Sequence, residues 1–223
     1  MTAVAPARGR RPMTDLRRTR LRLEMSREAV RLFRAHGVAG TSGERIAEAV
    51  GLSGRTLWRY FRTKESCVEP VLARSLDSFV EVLRAWPADR SLDEHLLDAP
   101  PAADPEADTD GELALAVIGL SRTEPALRAV WLVLHERAEA TLADLVAERT
   151  GLTVNDLRVH VQAAALAGAL RITSEELAAA FLDGRTPADP AARLTEAVHT
   201  ATRGLDDDAR TPATARTPAG EPQ

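Results

Sequence analysis

The chain has 223 residues, enough for one sizeable core or for a small domain joined to a larger one, and only 4% of it is aromatic. The apolar load falls on Ala, Leu and Val and points to an all-helical protein. No apolar run approaches the ~20 residues that span a bilayer. No apolar segment follows the basic N-terminus to make a secretory signal, and a single cysteine, Cys67, excludes an intrachain disulfide, so a cytosolic protein without a membrane partner is expected. The net charge of −4 hides a division: residues 1–64 hold 15 Arg or Lys against 5 Asp or Glu, and the remainder holds 14 against 28, so a polyanion would have to meet the N-terminal end.

Residues 1–20, MTAVAPARGRRPMTDLRRTR, lack apolar periodicity and carry six arginines, which predicts a disordered basic arm. From about Leu21 apolar residues recur three and four apart (Met25, Ala29, Leu32; Val30, Phe33), and Gly37 is placed to end that helix. Thr41 and Glu44 have capping-box spacing and open a short helix, ERIAEAV, that buries Ile46, Ala47 and Val50. Gly51 stops it, and Ser53 caps a third helix from about Gly54 to Tyr60, with Leu57 and Phe61 on its inner face.

Thr63 and Ser66 cap a fourth helix reaching about Trp86, with Pro70 bending it or marking its first turns. Residues 87–111 are rich in Pro, Asp and Glu and read as a loop around a short SLDEHLLD turn. The helical pattern returns with ELALAVIGLSR. A long helix capped by Thr123 follows and ends at Gly151; Thr153 and Asp156 open another to about Asp183 and Gly184; Asp189 and Pro190 start the last, to about Arg203. The tail after Gly204 is disordered by composition. The expected organisation is a basic arm (1–20), a small DNA-binding domain (21–66), a helical regulatory and dimerisation domain (67–204) and a tail (205–223).

Three short helices, the last two joined by a turn containing Gly, make a helix-turn-helix whose third helix enters the major groove of DNA. In GLSGRTLWRYFRTKES, residues 51–66, Arg55, Arg59 and Lys64 supply charge to phosphates or guanine edges, and Trp58 and Tyr60 offer flat, polar-tipped rings for the sugar-phosphate backbone. Of 29 basic residues, 28 are Arg, a bias of GC-rich genomes that weakens any single arginine as a signal and singles out Lys64.

Residues 37–66, GVAGTSGERIAEAVGLSGRTLWRYFRTKES, resemble the N-terminal motif of the TetR family of bacterial transcriptional regulators. The match runs in register through Gly37, Thr41, Ser42, Ile46, Ala47, Gly51, Ser53, Thr56, Leu57, Trp58, Tyr60, Phe61, Lys64 and Glu65. The Arg-Thr-Leu-Trp-Arg-Tyr-Phe form looks like a variant common among actinobacterial members. The resemblance implies that Thr41 and Ser42 bind phosphate at the start of the second helix. It implies that Arg45, Ser53, Gly54, Arg55, Thr56 and Arg59 reach bases or backbone, and that Trp58, Tyr60 and Lys64 grip phosphates. Two residues depart from the family pattern. Gly43 replaces an apolar residue, which leaves the first turn of the second helix loosely packed, and Trp58 replaces the more usual Tyr, with an indole N–H that donates but cannot accept.

The resemblance further implies a homodimer built by the last two helices, which sets the two reading heads ~34 to 36 Å apart on a pseudo-palindromic operator. Ala164, Ala165 and Gly168, with Leu194 and Val198, are the expected interface; the small residues of 163–169 allow close helix approach, between copies or within one chain. A small-molecule effector is expected between helices near 111–150, against Leu113, Val117, Ile118, Trp131 and Leu134, with Arg128, His135 and Arg137 as polar contacts. The resemblance implies a regulator that usually represses and that the effector releases from DNA. A ligand-independent architectural DNA binder is the alternative. No HExxH, GxSxG, Walker A or GxGxxG pattern is present, so no catalytic residue, metal or cofactor is expected.

Overall fold

The computed structural model describes residues 15–87, 89–98, 105–185 and 190–203. Their regular structure is helical throughout: α1 (Asp15–His36), α2 (Gly43–Ala49), α3 (Gly54–Leu57), α4 (Glu69–Arg84), α5 (Leu92–Leu97), α6 (Pro105–Leu120), α7 (Pro125–Thr150), α8 (Leu157–Leu182) and α9 (Pro190–Arg203), with a 3-10 turn at Glu65–Val68. Two compact units result, one from the described residues up to Ser78 together with 105–134, the other from 79–98 together with 135–203.

In the first unit α1 buries Met25, Ala29, Val30 and Phe33, and packs on α2, the 3-10 turn and α6. Ile46 and Ala47 of α2, Leu57 of α3, then Phe61, Cys67, Val68, Val71 and Leu72, extend this core, and α6 and the start of α7 add Leu113, Val117, Ile118, Leu127 and Trp131. Each fully buried large side chain contributes about 1.5–3 kcal/mol. Ser26, buried among them, accepts a hydrogen bond from the Val71 N–H at 3.2 Å and so satisfies a first-turn amide of α4 that has no partner inside its own helix. The turn between α2 and α3 is set by Gly51 at φ +68, a left-handed conformation in which the Leu52 N–H reaches back to the Ala47 carbonyl at 2.8 Å. Ser53 then caps α3, its hydroxyl accepting from the Thr56 N–H.

In the second unit α9 packs on α8 and on α5. Asp156 caps α8 through the Arg158 N–H at 2.9 Å and pairs with the Arg158 guanidinium at 2.8 Å; these bonds hold its carboxyl down at about 2. Ser91 and Glu94 form a capping box on α5. Arg149 stacks 3.5 Å from the centroid of the Trp86 ring and donates to the carbonyls of Trp86 and Pro87.

Several boundaries differ from the sequence expectation. Helix α1 starts at Asp15, so residues 15–20 of the expected arm are helical. Their side chains are all exposed, and periodicity, which reports burial, is silent there; arginine is nonetheless a good helix former, and Arg20 pairs with Glu24 one turn on. Residues 1–14, Asp189 and 204–223 lie outside the described residues. Helix α3 ends at Leu57 rather than Tyr60, although the Trp58 and Phe61 N–H groups still bond to Gly54 and Leu57. Val50 is half-buried at the end of α2.

Thr63 and Ser66 cap each other reciprocally as expected, but they lead into the 3-10 turn, and Pro70 falls in the first turn of α4. Helix α6 begins at Pro105, seven residues before the apolar run that announced it. Its first half is anchored by Asp110, 2% exposed, which takes both Arg27 (2.6 and 2.8 Å) and Arg74 (3.0 Å). Thr123 bonds back to the Leu120 carbonyl and closes α6 instead of capping α7.

Candidate nucleic-acid interface and C-terminal cavity

The helix-turn-helix brings the first turns of α2 and α3 side by side. Ser42, not Thr41, caps α2 by accepting from the Arg45 N–H, one residue later than the capping-box spacing suggests. Thr41 is 1% exposed and its hydroxyl donates inward, to the carbonyls of Gly37 (2.9 Å) and Leu32 (3.3 Å), which corrects its expected role at phosphate. Lys64 likewise turns its ammonium into the fold, donating to the carbonyls of Val38 (2.6 Å) and Thr41 (2.9 Å). Both residues close the turn between α1 and α2 that carries Ser42. Sequence pattern marks them as special, but only their partners reveal which way they face.

The remaining candidates stay at the surface. Arg45 is exposed and tied to the His36 ring at 2.8 Å. Arg55, Arg59 and Arg62 are exposed, with the Arg59 guanidinium 5.2 Å from the centroid of the half-buried Tyr60 ring. The Ser53 and Thr56 hydroxyls bond to each other at 3.0 Å, and Gly54 presents its backbone at the start of α3. Four cations, two hydroxyls and a phenol thus cluster around a short helix already ordered by its own cap, an arrangement suited to phosphate and base edges.

The two departures from the family pattern turn out to be one feature. Gly43 is buried, and a Cβ placed on it would lie 2.1 Å from Cζ2 and 2.3 Å from Cη2 of Trp58. The indole fills the space of the missing side chain, so the first turn of α2 is not loose. The Trp58 N–H, expected to donate to phosphate, donates instead to Glu44 Oε1 at 3.3 Å. Glu44 lies against Gly54, 3.5 Å from where that residue's Cβ would be. Its carboxyl is held below the usual range by its own backbone N–H, then by Trp58 and Ser42. Glu44 was not among the expected site residues, and the paired departures at positions 43 and 58 were the signal that could have found it.

Beyond the head, Leu113, Val117, Ile118, Trp131, Leu134 and His135 are all buried, with Arg128 half-buried. A cavity lies elsewhere, in the second unit. It measures about 680 Å³ and is lined by Leu83, Arg84, Trp86, Leu92, Leu142, Leu145, Val146, Glu148, Arg149, Thr150, Gln162 and Leu166. An apolar periodicity identifies a core face but not which part of the core is left unfilled. None of the expected effector walls lines this cavity, which is bounded by the C-terminal half of α7 and its neighbours.

Along α8, Leu157, Val161, Ala164, Ala165, Gly168 and Ile172 fall on one stripe at intervals of three and four. Leu157 is 75% exposed, Val161 59% and Ile172 51%; Ala164 is exposed, and Ala165 and Gly168 are half-buried. Leu194 is half-buried on α9, but Val198 is buried at 2% and belongs to the core of its own chain, as do Ala163, Ala167 and Ala169. Among the described residues no helix is long and apolar enough to cross a membrane.

A basic, pre-ordered helix-turn-helix on a helical body makes this a helix-turn-helix DNA-binding protein. Residues 27–71 match the model of the bacterial regulatory proteins of the tetR family, and residues 105–208 match that of the MftR C-terminal domain. The chain belongs to the TetR family. It is similar to the HTH-type transcriptional regulator TcmR of Streptomyces glaucescens, 35% identical over 147 residues; the match covers 63% of this chain and 64% of that protein, less than two thirds of its length. Two solved structures are similar at low identity. One is a TetR-family regulator from Mesorhizobium loti (20% identity, TM-score 0.49, 86% of this chain and 96% of that one). The other is the FadR repressor of Thermus thermophilus in complex with lauroyl-CoA (19% identity, TM-score 0.48, 90% and 100%).

Proposed function

We propose that the protein is a transcriptional repressor that binds a pseudo-palindromic operator as a homodimer in the cytoplasm and is released by a small molecule. The observation that carries this reading is the head: exposed Arg45, Arg55, Arg59 and Arg62 around a capped α3, in a chain whose other three quarters are acidic. Two copies joined through the α8 stripe present two such heads, as a two-fold operator requires. The effector enters the C-terminal cavity. Its volume suits a drug-sized molecule. Its walls of Leu83, Leu92, Leu142, Leu145, Val146 and Leu166, with Arg84, Glu148, Arg149, Thr150 and Gln162 as polar contacts, favour a molecule with an apolar body and a polar or charged group. Helix α4 carries both Arg74, which binds Asp110, and Leu83 and Arg84 of the cavity wall, and so offers a continuous element through which occupancy shifts the population of DNA-binding states. The cavity favours this over a ligand-independent architectural role.

The test is a mobility shift and footprint with DNA upstream of the protein's own and neighbouring genes, at two salt concentrations. A footprint with two-fold symmetry, weakened about a thousandfold between 50 and 200 mM salt if six or more phosphates are contacted, is the expected result. Retention of every fragment alike, with no footprint, overturns the operator reading.

A further inference from the structure

Trp58 sits at the end of the reading helix with its ring on Gly43 and its one N–H directed to Glu44. The distance of 2.1 Å to a Cβ at position 43 is far inside the 3.5–4.0 Å of ordinary carbon contact. Ring and glycine therefore fit only as a pair: any side chain at 43 displaces the indole, and any smaller group at 58 leaves a gap beneath it. Glu44 completes the joint, lying over the side of Gly54 where a Cβ would stand while accepting from the indole N–H, so the first turn of α2, the first turn of α3 and the residue following α3 converge there. A phosphate brought to that N–H would have to displace a carboxylate already there, against like-charge repulsion.

We propose that Trp58 is a positioning residue: seated on Gly43 and latched by Glu44, it fixes the angle of α3 against α2 and thereby the specificity of base reading, rather than gripping the DNA backbone. The proposal rests on the operator reading above and deepens it. Positioning and gripping differ in what they do to unrelated DNA. A lost phosphate contact weakens all sequences alike, whereas a misplaced reading helix weakens only the right one.

The experiment compares the wild-type protein with Trp58→Phe, Trp58→Ala, Glu44→Gln, Gly43→Ala and the double variant Gly43→Ala with Trp58→Ala. Each is titrated against the duplex that the wild-type protein selects from a random pool and against a scrambled duplex, with circular dichroism monitoring the helix signal. Expected are a loss of about tenfold for Trp58→Phe and Gly43→Ala on the selected duplex, a smaller loss for Glu44→Gln, and little change on the scrambled one. The double variant should lose no more than Trp58→Ala alone, because once the ring is gone a Cβ at position 43 has nothing to clash with. Trp58→Phe leaves Gly43 in place and keeps the test decisive if Gly43→Ala unfolds. Equal weakening on both duplexes with the helix signal intact overturns the proposal, as do fold-changes at 43 and 58 that simply multiply. A wild-type protein that selects no duplex overturns the operator reading itself, and positioning falls with it.

Discussion

Lys64 is the sole lysine of the chain, and its side chain shows how a residue of the DNA-binding motif can serve the fold before it serves the ligand. From the residue just before the 3-10 turn, its half-buried side chain reaches two carbonyls of the α1–α2 connection, Val38 and Thr41. Lys64→Met keeps the stem and removes the donors, leaving two carbonyls with poorer partners. The expected cost is about 1–3 kcal/mol, read as a lower midpoint in urea unfolding with unchanged slope. An unaltered midpoint would mean that these carbonyls find water as readily as the ammonium. The same contrast separates Thr41 from Ser42: adjacent in sequence and alike in chemistry, one donates inward while the other caps α2 at the surface.

At the scale of elements, α6 is anchored in the first unit by a buried long-range ion-pair cluster. Asp110 is buried between Arg27 of α1 and Arg74 of α4, three helices joined through one carboxylate. Removing one member of a buried charge cluster leaves the others uncompensated, so Asp110→Ala should cost about 3 kcal/mol or more. A second substitution, Arg27→Met, should return part of it; thermal unfolding of the single and double variants measures both, and additive losses would show that the two residues act independently.

Helix α8 offers a pH-dependent counterpart. The Asp156 carboxyl is held at about 2 against an ordinary 3.8, so its stabilising effect is complete above the ordinary value and is lost as the pH falls through the lower one. Asp156→Asn preserves the capping oxygen but cannot titrate. Between pH 5 and pH 2 the wild-type melting temperature should therefore fall further than that of the variant, and parallel declines would remove Asp156 from the account.

For the whole molecule, the exposed stripe of α8 and the charge division act together. Leu157, Val161 and Ile172 cost free energy while they face water, and the small residues at the middle of the stripe let a second helix approach. Val161→Glu with Ile172→Glu places two charges in that contact and should convert a dimer to a monomer in light scattering. The head is untouched, so each monomer should retain weak, salt-sensitive DNA binding while the two-fold footprint is lost. A dimer that survives both substitutions would move the interface off this stripe.

The helix-turn-helix was legible in the sequence because its parts are local: a glycine that must take positive φ, capping hydroxyls a turn ahead of their amides, apolar residues three and four apart. Gly37, Gly51, Gly151 and Gly184 all stand at positive φ where the pattern ended a helix. Local chemistry also marked the stretch that matches the tetR-family model, because its capped short helices and their spacing are read within a few residues. What the sequence left open depends on partners distant along the chain. The start of α6 waits on Asp110 meeting Arg27, 83 residues away, and the inward turn of Lys64 waits on a carbonyl 26 residues back. The fit of Trp58 on Gly43 and the place of the cavity were likewise decided in three dimensions, since periodicity records that a side chain is buried but not what it is buried against.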